Sequence, residues 1–141
     1  LKLAAVAVLV ASPGLWISAA SPEMQRTYPM ALEAPTTPGL FAAYELSYGL
    51  YYWGWEFFFR GALQLGLMPA LGFTGATMVQ WLPSVMIHFE KPLAETWGAV
   101  LVGPLLGAAA VRTRSMLYVF LFHYAIGVIN DIFCALRQGM I

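Results

Sequence analysis

Charged residues and cysteines are scarce in this sequence of 141 residues. Only 10% of its residues are charged, whereas an ordinary soluble domain has roughly 25%. At the same time 60% of the residues are hydrophobic, and the mean hydropathy is +0.71. This composition predicts a membrane protein, and the length suits one domain better than two.

The net charge and the cysteine count exclude several classes of function. The formal net charge of +0 gives no indication of nucleic acid or of a strongly acidic partner. A single cysteine, Cys134, excludes an intrachain disulfide and any cysteine-rich metal site. We therefore expect Cys134 to be a small apolar side chain packed in a helix.

The N-terminal stretch allows two interpretations. Residues 1–20 are apolar apart from Lys2, and Pro13-Gly14 interrupts them. They could form a transmembrane helix or a signal peptide, and the helix is favoured because more apolar segments follow. Since the chain begins with Leu1 rather than Met, we expect it to be part of a longer protein.

The remaining residues alternate between polar connections and long apolar segments. Residues 21–38 are predicted to form a polar connection in which Ser21 caps a short helix that begins at Pro22. Residues 39–137 are predicted to form the core of a single membrane domain over residues 1–141. The fold class that follows is all-α, a polytopic transmembrane helical bundle.

Breaks between these helices are predicted from proline, glycine and arginine. Pro69, Gly72 and Gly75 indicate a turn, Pro83 indicates a kink, and the helix carrying them should end at His88. Gly103 and Gly107 have the spacing that lets two membrane helices approach closely. Arg112 and Arg114 close the following helix and mark a cytoplasmic loop.

A carboxylate and a guanidinium lie one helical turn apart in a very apolar stretch. Glu56 and Arg60 have the spacing i, i+4, which places them on one helix face together with Glu45 and Tyr52. Such a polar stripe would face the bundle interior or an aqueous pocket rather than lipid. A catalytic role and a purely structural ion pair are both compatible with this pattern.

Both histidines of the sequence, His88 and His123, also lie in membrane segments, and Asn130 and Asp131 follow in the last one. A carboxylate and an imidazole can position and deprotonate water. A second imidazole and an amide can stabilise a developing oxyanion. Two imidazoles and a carboxylate could instead bind zinc. The spacing does not separate these alternatives, because the groups come from different helices.

Three of these motifs, in this order, resemble the CPBP family, the CAAX-protease and bacteriocin-processing intramembrane proteases also called the Abi family. The first is Trp55-Glu56-Phe57-Phe58-Phe59-Arg60-Gly61, the second is His88-Phe89-Glu90-Lys91-Pro92 with Glu95, and the third is His123 with Asp131. The sequence is identified as a divergent member, with the likeness covering residues 44–136. The resemblance implies a membrane-embedded helical bundle with a glutamate-type, metal-independent endopeptidase site.

Individual residues of this sequence match the family motifs, but three positions differ from them. Glu56 and Arg60 match the second glutamate and the arginine of the first family motif, but Trp55 stands in place of the first glutamate. In the family the first glutamate is thought to activate water, so here that role falls to Glu56. Ser84 replaces the phenylalanine of the second motif, and Gly127 replaces the asparagine or aspartate of the third.

The resemblance thus implies Glu56 and His88 as the groups that activate water, with His123 and Asn130 stabilising the oxyanion. Four further residues are predicted to support the site: Arg60, Asp131, Glu90 and Glu95. Arg60 would hold Glu56 in place and keep it ionised.

The predicted function is intramembrane endopeptidase, acting on a membrane-associated protein or peptide without a cofactor or metal. The lipid bilayer, in a bacterial plasma membrane, is the expected environment, and no nucleic acid is expected. The alternative is a non-proteolytic membrane scaffold or partner subunit that keeps the family fold.

Overall fold

The computed structural model describes residues 2–31 and 33–141, and every regular element within them is helical. This confirms the predicted all-α fold class. The α-helices are α1 Lys2–Ser18, α2 Pro22–Thr27, α3 Pro38–Glu56, α4 Gly66–Ile87, α5 Leu93–Thr113 and α6 Leu117–Arg137. A π-helical segment, Phe57–Leu65, joins α3 to α4, and two short 3-10 turns cover Ala34–Thr36 and His88–Glu90.

The N-terminal part has the helix and the capped helix start that the sequence predicted. The apolar residues form α1, in which Pro13 lies inside the helix, and this helix ends at Ser18. Ser21 then caps α2, because its hydroxyl accepts a hydrogen bond from the backbone N–H of Met24 at 3.2 Å. Proline at the first position of α2 needs no backbone donor, which suits it to a helix start.

The stretch from α3 to the start of α4 is continuously helical, but its last part is wider than an α-helix. The backbone N–H of Gly66 bonds to the carbonyl of Gly61, five residues earlier, as in a π-helix. Such wide turns are rare and occur often at functional sites. Here the π segment begins directly after Glu56 and contains Arg60.

The predicted turn near residues 69–75 is confirmed at Gly72. Its backbone angles, φ 67° and ψ 178°, are not helical and lie in a region that essentially only glycine adopts. Gln64 Nε2 nevertheless donates to Thr77 Oγ1 at 3.3 Å across this break. In a straight helix these residues would lie about 20 Å apart, so the chain folds back at Gly72.

The chain forms two compact units. The first contains residues 1–52 and 122–141, and the second contains residues 53–121. In the first unit Cys134 is buried among Ala19, Met24 and Tyr28, as expected of a small apolar side chain.

In the second unit the two glycines Gly103 and Gly107 make room for large neighbours. A Cβ at Gly103 would lie 2.8 Å from Cδ1 of Trp81. A Cβ at Gly107 would lie 2.8 Å from Oε1 of Gln64 and 3.0 Å from Nε2 of Gln80. The spacing of four residues therefore serves close packing of α5, as the sequence predicted.

Charged and amide side chains are buried in this protein while many large apolar side chains are exposed. Glu56, Asp131 and Gln80 are fully buried, whereas Leu50 is 75% exposed and Phe57 is 59% exposed. Over the described residues, three helical stretches are long and apolar enough to cross a membrane: Pro38–Glu90, which the break at Gly72 interrupts, Leu93–Thr113 and Leu117–Arg137. A lipid environment favours an apolar outer surface and charged side chains that face the protein interior.

Candidate functional site

A buried ion pair joins Glu56 and Arg60, as the spacing predicted. Arg60 Nη1 donates to Glu56 Oε1 at 3.3 Å, and the two side chains are 2% and 0% exposed. Burying two charges is costly, and removing one partner from such a pair typically costs about 3–5 kcal/mol. The pair therefore fixes the end of α3 against the π segment, whichever further role Glu56 has.

His88 stands at the end of α4, where its ring is held by a backbone carbonyl. Its Nδ1 lies 2.6 Å from the carbonyl oxygen of Ser84, one turn earlier. A carbonyl can only accept, so Nδ1 carries the proton that it donates. In the neutral ring Nε2 then keeps its lone pair and can accept a proton.

The turn that carries His88 is tied to the start of α5. Thr96 Oγ1 donates to the His88 carbonyl oxygen at 2.6 Å. Pro92, the residue before α5, has an extended backbone and starts the new helix at Leu93. This connection brings the first turn of α5 close to the His88 ring.

Two side chains from other elements meet the His88 ring. The Trp55 ring, from α3, lies edge-to-face with it at a centroid distance of 5.4 Å and an angle of 87°. Glu95, from the first turn of α5, places Oε1 3.8 Å from His88 Nε2. His88 and Glu95 are 12% and 26% exposed. Glu90 lies exposed in the 3-10 turn.

This arrangement has the chemistry of a water-activating pair. A neutral Nε2 and a carboxylate oxygen are both acceptors, so neither can donate to the other. A water that donates a hydrogen bond to one of these acceptors would keep its lone pairs for attack on a carbonyl carbon.

His123 belongs to the other unit and has aromatic surroundings. In α6 its ring lies 4.8 Å from that of Tyr52, at an angle of 72°. One turn later, a Cβ at Gly127 would lie 2.6 Å from Tyr52 Cζ and closer still to Tyr52 Oη. The Tyr52 phenol therefore fills the space that a side chain at position 127 would take.

Asn130 and Asp131 are buried in α6 and bonded within the same unit. Tyr44 Oη donates to Asp131 Oδ2 at 2.9 Å, and the backbone N–H of Met30 donates to Tyr44 Oη at 3.2 Å. Asn130 Nδ2 approaches Asp131 Oδ1 at 3.5 Å. Asp131 thus connects α6 to α3, and its supporting role in a catalytic site stays a prediction. The oxyanion roles predicted for His123 and Asn130 stay predictions.

Two contacts were not anticipated from the sequence. Glu95 was expected only to support the site, yet it is a carboxylate partner of His88. Tyr52 was placed on the polar face of its helix, but its occupation of the space beside Gly127 was not foreseen. The available signal for Tyr52 was the glycine at motif position 127, which leaves space that a large side chain of another helix can fill.

No group of three or more histidine, cysteine, aspartate and glutamate side chains in the described part of the chain could hold a metal ion. The zinc alternative would need both histidines and a carboxylate to converge.

The apolar exterior, the buried charges and the three candidate spans define an integral, all-helical membrane protein. The family model for type II CAAX prenyl endopeptidase Rce1-like proteins matches residues 46–129, more than half of the chain. The chain therefore belongs to the Rce1-like family, within the CPBP proteins that its motifs resemble. No curated protein and no solved structure gives a match.

Proposed function

We propose that this protein is an intramembrane endopeptidase that hydrolyses a peptide bond of a membrane-associated substrate in a bacterial plasma membrane. His88, with a carboxylate of the same unit, activates the attacking water. The observation that carries this proposal is the His88 ring, held through Nδ1 by the Ser84 carbonyl with a carboxylate oxygen 3.8 Å from Nε2. Family membership supports the reaction class.

The substrate class that we propose first is a prenylated protein with a C-terminal CAAX sequence, after the family description. A prenyl chain would partition into lipid and bring the adjoining peptide to the membrane surface. The exposed apolar surface of the helices would let such a substrate approach laterally.

Cleavage of a prenylated probe tests this proposal. The probe is a quenched-fluorescence peptide that ends in a farnesylated CAAX sequence, offered to the protein in proteoliposomes. Wild type and Glu23→Gln, a carboxylate change on the exposed face of α2, should cleave it equally. His88→Ala should stop cleavage while the unfolding temperature stays close to that of wild type.

A non-proteolytic scaffold is the second candidate, and two observations favour it. Trp55 stands in place of the first motif glutamate, and Tyr52 fills the space beside Gly127, where the family has a polar side chain. A folded wild-type protein that leaves both the farnesylated and the unprenylated peptide intact would support the scaffold and contradict the protease.

A further inference from the structure

We propose that Glu95 is the catalytic base of this site, the carboxylate that removes a proton from the attacking water. This inference rests on the proposed endopeptidase function and assigns the base that the first family motif lacks here. The position of that motif glutamate is occupied by Trp55, whose ring touches His88 but can accept no proton.

The position of Glu95 relative to His88 is the first support. Its Oε1 lies 3.8 Å from His88 Nε2, the ring nitrogen that is left as acceptor when Nδ1 donates to Ser84. Trp55 approaches the same ring from α3 and Glu95 approaches it from α5. The two side chains therefore share one neighbour, and Glu95 supplies there the carboxylate that residue 55 does not have.

Accessibility separates the two candidate carboxylates. Glu56 is fully buried and bonded to Arg60, whereas Glu95 is 26% exposed beside a histidine that is 12% exposed. A general base must lie within hydrogen-bond reach, about 3 Å, of the proton that it removes. The exposed part of the Glu95 side chain is open to water, whereas the Glu56 side chain is enclosed with Arg60.

The reaction balances with these two groups. The water oxygen bonds to the carbonyl carbon while Glu95 takes one water proton, and His88 Nε2 accepts the hydrogen bond from the other O–H. The carbonyl π electrons move to the oxygen and then return as the C–N bond breaks. Glu95 gives its proton to the leaving nitrogen, so one peptide and one water become a carboxylic acid and an amine.

A structural role for Glu95 must be separated from this one. Glu95 lies in the first turn of α5, where a negative charge also stabilises the helix through its dipole. Loss of that effect lowers the unfolding temperature slightly, and a carboxylate placed elsewhere beside His88 would not reverse it. Rescue of cleavage by a carboxylate at residue 55 is therefore the decisive readout.

The experiment measures kcat and kcat/KM of four variants on the farnesylated peptide at one neutral pH. Glu95→Gln should lower kcat about 10³-fold with KM little changed, whereas Glu95→Asp should keep part of the rate. Glu56→Gln should lower the unfolding temperature, with cleavage retained in the folded fraction. Trp55→Glu combined with Glu95→Gln should recover part of the lost rate, because residue 55 also touches His88.

The outcomes separate the inference from the proposed function. Glu95→Gln that cleaves like wild type, while His88→Ala is inactive, would overturn the inference alone. Loss of cleavage by folded Glu56→Gln, with cleavage retained in Glu95→Gln, would transfer the role to Glu56. Cleavage by His88→Ala, or none by wild type, would overturn the proposed function itself.

Discussion

The two histidines of this protein have contrasting surroundings. His88 ends a helix beside a backbone carbonyl and a partly exposed carboxylate. His123 lies within α6 against the Tyr52 ring, near a glycine whose side-chain space the tyrosine fills. The first setting fixes a tautomer and offers proton acceptors, whereas the second fixes a ring by packing. His88 therefore has surroundings that suit a base, whereas the donor role of His123 stays a prediction from the family likeness.

His88→Ala should have the largest effect on catalysis. Removing the imidazole should lower kcat on the farnesylated peptide by roughly 10³-fold, the middle of the range for acid–base groups. The measurement is the initial rate of fluorescence release from folded protein in proteoliposomes. A loss below tenfold would remove the contrast between the histidines.

His123→Ala should have a smaller effect, a loss in kcat of about 10²-fold, as for one oxyanion donor. Equal losses for the two histidine variants would contradict the division of roles.

Gly127→Ala tests how tightly Tyr52 fills the space beside α6. The added methyl would overlap the phenol, and overpacking typically costs about 1–3 kcal/mol in free energy of unfolding. Gly54→Ala is the matched control, since a Cβ there meets nothing within 4 Å and helical alanine is favoured by about 0.5–1 kcal/mol.

Thermal unfolding in detergent measures this pair of variants. Adding Tyr52→Phe to Gly127→Ala should restore part of the loss, because the hydroxyl is the nearest group to the new methyl. Should Gly127→Ala prove as harmless as Gly54→Ala, the tyrosine does not occupy that space.

Thr96→Val should have the smallest effect on stability. It tests how the turn that carries His88 is held in place. It removes the hydrogen bond to the His88 carbonyl, worth about 1 kcal/mol. Thr27→Val, which loses an exposed bond within α2 at the Glu23 carbonyl, is the control and should change stability less. The two unfolding temperatures, measured side by side, check this order.

The sequence predicted much of the fold because lipid imposes strong patterns on it. Scarce charge and long apolar runs indicate membrane helices, and glycine and proline mark their breaks, as at Gly72. The fourfold spacing of Glu56 and Arg60 likewise predicted their ion pair, since local geometry decides it.

Contacts between distant segments were harder to predict. Glu95 follows His88 by seven residues across a proline turn, and only the course of that turn brings its carboxylate near Nε2. Tyr52 and Gly127 are on different helices, and periodicity within one helix does not give the register of another. The π-helical form of residues 57–65 likewise has no clear mark in the sequence.

The most direct test of the proposed hydrolysis uses the farnesylated CAAX peptide in water enriched in oxygen-18, with mass spectrometry of the products. Wild type should release a fragment that carries one oxygen-18 atom in its new carboxyl terminus, and His88→Ala should release none. A peptide that stays intact with the folded wild-type protein, or equal labelled product from both proteins, would contradict an endopeptidase centred on His88.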